Sequence, residues 1–268
     1  MREFYGIDYH KGLDIDWNIT TLCQYKCPYC YVKRTNELIS KHNIDCVIKN
    51  LKNSIHEMTV NILGGEPTLH PQLNYIISEL NKIKNVTKIT LITNGDKDLS
   101  KLLVVPNMEI LFSYHITTNN VNFLKNINLL KDKLKIRVSI MQFGNLERRQ
   151  KMYDTLSELG IEVFQDPIVI NKVIKAKRLN IPNKKEFIFD NKEYDTDIIF
   201  NKLDFYGWNC EFSYCSIDPD GNLYFGCDKT PYNVYKSFDV LSNQIKTVKC
   251  DKHQCLDSCL LTMRKCLD

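Results

Sequence analysis

Apolar side chains at Leu13, Ile15, Trp17 and Ile19 alternate with polar ones, the two-residue period of a half-buried strand. The period then changes: Ile44, Val47, Ile48, Leu51 and Ile55 recur at the spacing of one helical face. Residues 59–63 predict a second strand. Pro71 suits the first turn of a helix that carries Ile76, Ile77, Leu80 and Ile83. Residues 88–92 predict a third strand, closed by the turn signal Asn94-Gly95 and followed by a short helix over 98–103. Further strands are expected at 109–114, 135–140 and 161–164, with helices at 121–131 and 147–159. Gly160 fits the position just past a helix end, and Pro167 stops or bends the last strand.

Six strands alternating with helices imply an α/β fold with a parallel sheet and right-handed crossovers, either open or curled into a barrel. In either form ligands bind at the C-terminal ends of the strands. A cysteine loop after the first strand, Gly64-Gly65 after the second and Asn94-Gly95 after the third converge on that rim. Beyond residue 170 the pattern weakens. Residues 1–170 form the expected core, 171–205 a linker or short helix, and 206–268 a thiol-rich extension. Within the extension, 217–225 reads as a hairpin around Asp220-Gly221.

The length, 268 residues, allows one large domain or a core with a small appendage. No apolar run reaches the ~18 residues of a membrane span, and the start of the chain lacks a signal core. The protein is therefore expected in the cytoplasm, away from membranes. A net charge of +4 is too small to argue for nucleic acid. Lys172, Lys175, Lys177, Arg178, Lys184 and Lys185 form a local basic run, ordinarily a solvated linker and alternatively a patch for an anionic substrate.

Eleven cysteines in a cytosolic chain of this length point to metal binding or chemistry more than to disulfides. Cys23, Cys27 and Cys30 place three thiols within eight residues. Thiolates ligate both iron–sulfur clusters and zinc. A [4Fe–4S] cube held by three would keep one iron open, whereas zinc would need a fourth ligand, and His42, the nearest candidate, lies twelve residues past Cys30. Cys46, within the first helix, is by default a buried inert thiol. His115, after the fourth strand, is by default a hydrogen-bonded structural histidine.

Cys-x3-Cys-x2-Cys with the aromatic Tyr29 before its last cysteine, in the loop after the first strand, resembles the radical SAM signature. Gly64-Gly65-Glu66-Pro67, Thr93-Asn94-Gly95, Ser113 and Ser139 match further positions of that family. The resemblance covers about residues 13–170 and implies a partial (βα)6 barrel. It also implies a [4Fe–4S] cluster on the three cysteines and S-adenosylmethionine (SAM) bound at its open iron. The SAM contacts would come from Tyr29, Gly64, Gly65, Glu66, Pro67, Thr93, Asn94, Ser113 and Ser139. The glycines lack Cβ atoms, so backbone can approach a ligand closely, and Glu66 offers an acceptor to an ammonium group. Reductive cleavage of SAM in this family gives a 5′-deoxyadenosyl radical, with electrons from an external donor such as flavodoxin or ferredoxin.

Seven more cysteines, Cys210, Cys215, Cys227, Cys250, Cys255, Cys259 and Cys266, crowd the C-terminal segment. This region resembles the SPASM/twitch extension, a small Cys-rich α+β unit that holds auxiliary [4Fe–4S] clusters. The resemblance assigns Cys210, Cys215, Cys227 and Cys259 to a first auxiliary cluster and leaves Cys250, Cys255 and Cys266 for a second. The usual pattern has an additional Cys-x2-Cys that this chain lacks, so His253 or an open iron would complete the second. The expected activity is hydrogen abstraction from an organic substrate. Peptide modification (crosslinking, oxidation or epimerisation) comes first, and dehydrogenation or isomerisation of a sugar- or nucleotide-like molecule is the alternative. A metal-stabilised binding module without radical chemistry is the alternative of another class.

Overall fold

In a computed structural model of the chain, strand β2 spans Leu13–Asn18, and its odd-numbered residues are buried while its even-numbered ones are half-exposed. The structure describes residues 3–6, 12–30, 32–170, 173–174, 187–189, 192–194, 206–207, 209–212, 214–225, 232–237, 241, 246–249 and 263–266. A strand at Glu3–Gly6 (β1) precedes β2. Helix α1 (Lys41–Asn53) follows, begun by Ser40, whose side chain accepts from the Asn43 amide. Next come β3 (Met58–Leu63), a single 3-10 turn at Pro67–Leu69, α2 (Leu73–Asn81), β4 (Val86–Thr93) and β5 (Met108–Tyr114). Then come α3 (Asn120–Leu130), β6 (Lys135–Gln142), α4 (Leu146–Glu158) and β7 (Glu162–Pro167). Asn119 and Asn145 cap α3 and α4 with their side chains, and Gly160 adopts φ +70° just past α4.

Short strands follow: β8 (Val169–Ile170), β9 (Val173–Ile174), β10 (Phe187–Phe189), β11 (Lys192–Tyr194) and β12 (Asn209–Phe212). The last are β13 (Tyr214–Ile217), β14 (Asn222–Phe225), β15 (Tyr232–Asn233), β16 (Lys246–Lys249) and β17 (Met263–Cys266). Strands β2 to β7 pair in sequence order and in parallel. The predicted hairpin forms as β13 and β14, and β13 joins the outer edge of β2 in parallel, with Cys215 opposite Ile15. The expected extension is thus divided. Residues of β13–β15 extend the core sheet, whereas β12, β16 and β17 lie in a second sheet with β1, β10 and β11.

One face of the large sheet packs under the helices through Ile15, Trp17, Val60, Ile62, Ile110, Phe112 and Val138, all fully buried, together with Ile44, Val47, Ile76 and Phe123. The opposite face is polar. There Asn61 Nδ2 donates to Asp14 and Asp16 at 2.7 and 2.9 Å, and Tyr214 Oη donates to Asp16 at 2.8 Å. Glu109 on the same face accepts from Arg137 at 2.6 Å and pairs with Lys88 at 2.9 Å.

Several expectations differ. Residues 173–174, 187–189 and 192–194, within the expected linker or short helix, are strands β9, β10 and β11, and Ile55 lies past the end of α1, 73% exposed. Residues 98–103 form a turn, because two asparagines hold the backbone there: Asn126 accepts from Leu99 N and donates to the preceding carbonyls of Gly95 and Lys97, and Asn74 donates to Lys101 O and accepts from Leu103 N. Pro71 lies ahead of the α2 cap, and it is Pro67 that occupies a first-turn position, in the 3-10 turn.

Candidate active site

The loop that carries Cys23, Cys27 and Cys30 leaves β2 at its C-terminal end and is sewn to the loop after β3 by backbone hydrogen bonds. Gly65 N donates to Thr20 O and Glu66 N to Leu22 O, each at 2.7 Å. A Cβ at Gly64 would run into the Thr20 carbonyl oxygen, and one at Gly65 into that of Leu22. The glycines therefore admit protein backbone, namely the cysteine loop itself; Gly64 adds φ +148°, which an L side chain rarely adopts.

Glu66 is 1% exposed, and its carboxylate is committed to four protein donors. Oε1 accepts from Thr68 N at 3.1 Å and from the Thr68 and Thr93 hydroxyls at 2.6 Å each, and Oε2 accepts from Asn94 N at 2.8 Å. Burial pushes its carboxyl up, against the pull of those donors. These contacts join the loops after β3 and β4. Asn94 continues the chain of contacts: its Oδ1 accepts from Gln24 at 2.9 Å, and its Nδ2 lies 3.9 Å from Cys23 Sγ. Thr93 and Pro67 are buried in the same junction.

Cys23 and Cys27 are half-buried, and Cys30 is exposed. Burial pushes the Cys23 thiol up, and the Glu66 carboxylate adds to the effect. Among the described residues no three His, Cys, Asp or Glu side chains converge tightly enough to hold a single metal ion. The three thiols are strung along one loop instead. His42, the candidate fourth ligand for zinc, lies 3.8 Å from Cys46 on α1, where Cys46 is buried as expected.

Tyr29 packs between His115 and Phe143, with ring centroids 6.0 and 5.0 Å away, and its hydroxyl is 2.9 Å from His115 Nδ1. Burial pushes His115 down to about 4, so the ring is neutral at ordinary pH. Ser113 and Ser139 are paired neighbours on β5 and β6. Ser139 is 2% exposed, and its hydroxyl has no partner among the described residues. Gln142, at the rim end of β6, is fully buried, and among the described residues neither of its amide atoms has a partner. No motif in the sequence marked Gln142, because its only signal is burial without a partner. Nor did one mark Gln24, Thr117 or Arg148, whose contacts depend on loops meeting across the rim.

Of the C-terminal cysteines, Cys215 is fully buried in the apolar core, where desolvation pushes its thiol well up. Cys210 and Cys266 lie on adjacent strands, β12 and β17, one position out of register. Cys227, Cys250, Cys255 and Cys259, with the basic positions 172, 175, 177, 178, 184 and 185, lie outside the described residues.

Comparisons with known proteins bear on the same segment. The model of the Radical SAM superfamily matches residues 17–176. A GTP 3′,8-cyclase of Clostridium acetobutylicum is 27% identical over 206 residues, which cover 74% of this chain and 58% of the relative. An S-adenosylmethionine-dependent nucleotide dehydratase of Fibrobacter sp. is 25% identical over 211 residues, 71% of this chain and 60% of the relative. The chain thus spans less than two thirds of either relative. Among solved structures, SuiB of Streptococcus suis superposes with a TM-score of 0.57 at 18% identity, covering 88% of this chain and 66% of that one. The structure of anSMEcpe with bound AdoMet gives 0.57 at 16%, covering 85% and 76%. These likenesses give the fold, a mixed α/β partial barrel with a mostly parallel sheet. Since the superfamily match runs from within β2 through β7 and so covers more than half of the chain, the chain belongs to the radical SAM superfamily.

Proposed function

We propose that this protein cleaves SAM reductively at a [4Fe–4S] cluster held by Cys23, Cys27 and Cys30, and that it takes a hydrogen atom from a nucleotide-like substrate. Membership in the superfamily implies the cluster and SAM. The observation that carries the assignment to these residues is a loop bearing three free thiols at the C-terminal rim of a parallel sheet. The unpartnered Ser139 hydroxyl is a buried polar atom that a bound molecule would satisfy.

When bound, the cluster and SAM supply a carbon radical that abstracts hydrogen. The chain positions and shields that chemistry. Glu66 locks the loops after β3 and β4, Asn94 reaches Cys23, and Tyr29 rests on a His115 that holds no excess proton at neutral pH.

The substrate class rests on the sequence relatives, named for GTP and for nucleotides, and on the basic run at 172–185. Peptide modification is the second reading, favoured by the resemblance of the C-terminal cysteines to SPASM/twitch extensions. For an auxiliary cluster we propose Cys210, Cys227 and Cys259, without Cys215, whose thiol is enclosed by apolar side chains.

The test uses anaerobic protein with SAM, a strong reductant and ribose-deuterated nucleoside triphosphates. The expected result is 5′-deoxyadenosine carrying deuterium, none of it from Cys27→Ala. 5′-Deoxyadenosine that rises only with a peptide would favour the second reading. A zinc-filled chain indifferent to SAM would overturn both. Cys215→Ala is expected to keep the wild-type iron content and Cys210→Ala to lose part of it.

A further inference from the structure

The loop between β5 and α3, residues 115–119, grips the cysteine loop at three points. His115 Nδ1 is 2.9 Å from Tyr29 Oη, Asn119 N donates to Tyr25 Oη at 3.3 Å, and Thr117 Oγ1 lies 3.8 Å from Cys27 Sγ. The loop is closed on itself: Thr118 N donates to His115 O at 3.1 Å, and His115 N donates to Thr118 Oγ1 at 2.8 Å. It is held from behind by one guanidinium. Arg148 on α4 donates to Ile116 O at 2.6 Å and Thr118 O at 2.5 Å, the two carbonyls flanking Thr117. It also donates to Tyr114 Oη at 3.0 Å and Asn120 Oδ1 at 3.2 Å. A planar fork with several donors fixes backbone this way where a lysine would fix one point.

We propose that Thr117 donates a hydrogen bond to the Cys27 sulfur and thereby raises the reduction potential of the cluster, and that Arg148 is the positioning residue that holds Thr117 there. A thiolate bound to iron has no proton to give, so the hydroxyl must be the donor. A hydrogen bond to a ligand sulfur stabilises the extra electron of the reduced cluster, so removing it lowers the potential. The proposal rests on the cluster assignment above and adds to it a control on how readily the cluster is reduced.

The experiment is an EPR-monitored reductive titration of the iron-loaded full chain. Thr117→Val, with similar shape and no donor, is expected to titrate at a lower potential than wild type at equal iron content, and Thr117→Ser to stay at the wild-type value. Arg148→Gln, too short to hold both carbonyls, should shift in the same direction. The double variant should fall no further than the lower single variant, because both remove one contact. A residue that only stabilised the fold would change the melting temperature and leave the potential alone. If Thr117→Val does not load iron, Arg148→Gln against Thr117→Ser reads the same quantity. Loaded Thr117→Val or Arg148→Gln protein at the wild-type potential would overturn the proposal. A wild type with no reducible cluster on these thiols would instead overturn the proposed function.

Discussion

A buried carboxylate can tie two loops together, and Glu66 does so. Its two oxygens accept from two backbone amides and two hydroxyls of the loops after β3 and β4. Glu66→Gln puts an NH2 where one oxygen was, so at least one of these donors meets another donor. The expected cost is about 1–3 kcal/mol in urea unfolding of the iron-free chain. His115 makes a second prediction. It is held near 4 by burial, whereas an unfolded histidine titrates near ~6.5. As pH falls from ~6.5 the unfolded chain takes up the proton first, so stability is intact above that value and declines down to about 4. The groups that face the ring are the Tyr29 and Tyr25 side chains. His115→Gln should flatten that part of the pH–stability curve, measured by urea midpoints.

At the scale of elements, periodicity was enough wherever burial has one clear direction. Strands β2 to β7 and the helices at 41–53, 120–130 and 146–158 follow the alternation of apolar positions, and Gly160 ends its helix as its φ of +70° requires. The cysteine loop, Gly64-Gly65 and Asn94-Gly95 were legible as a shared rim, because strand ends in a parallel sheet all face one way. What local sequence could not carry was the use made of each group by distant backbone. Residues 98–103 have a helical pattern, but the Leu99 amide goes to Asn126, a buried residue 27 positions away, and the Lys101 carbonyl and Leu103 amide go to Asn74. Asn126→Ala should destabilise the fold by about 1–3 kcal/mol and speed hydrogen exchange at the Leu99 amide. Gly64-Gly65 was legible as a place of close approach, but not that the approaching chain would be Thr20–Leu22.

At the scale of the molecule, the C-terminal hairpin belongs to the core sheet. Asn50, fully buried on α1, donates to Val234 O at 2.9 Å and to Ser237 O at 3.0 Å, nearly 190 positions away. Asn50→Ala leaves both carbonyls without that donor. It should loosen the hairpin, read as faster exchange of the Cys215 and Ile217 amides with little change at β5 and β6. The Asp220-Gly221 turn signal identified the hairpin, but nothing local to it said which strand it would join.

That partnership sets an order of assembly. The strand that leads into the cysteine loop has its outer neighbour about 200 positions later, with Tyr214 opposite Asp14. On the ribosome β2 must wait with one edge unpaired while some two hundred residues are made, and contacts of such long separation form slowly. The cysteine loop is thus anchored on both flanks only after β13 has emerged, so a metal delivered before then would meet thiols on an unfinished scaffold.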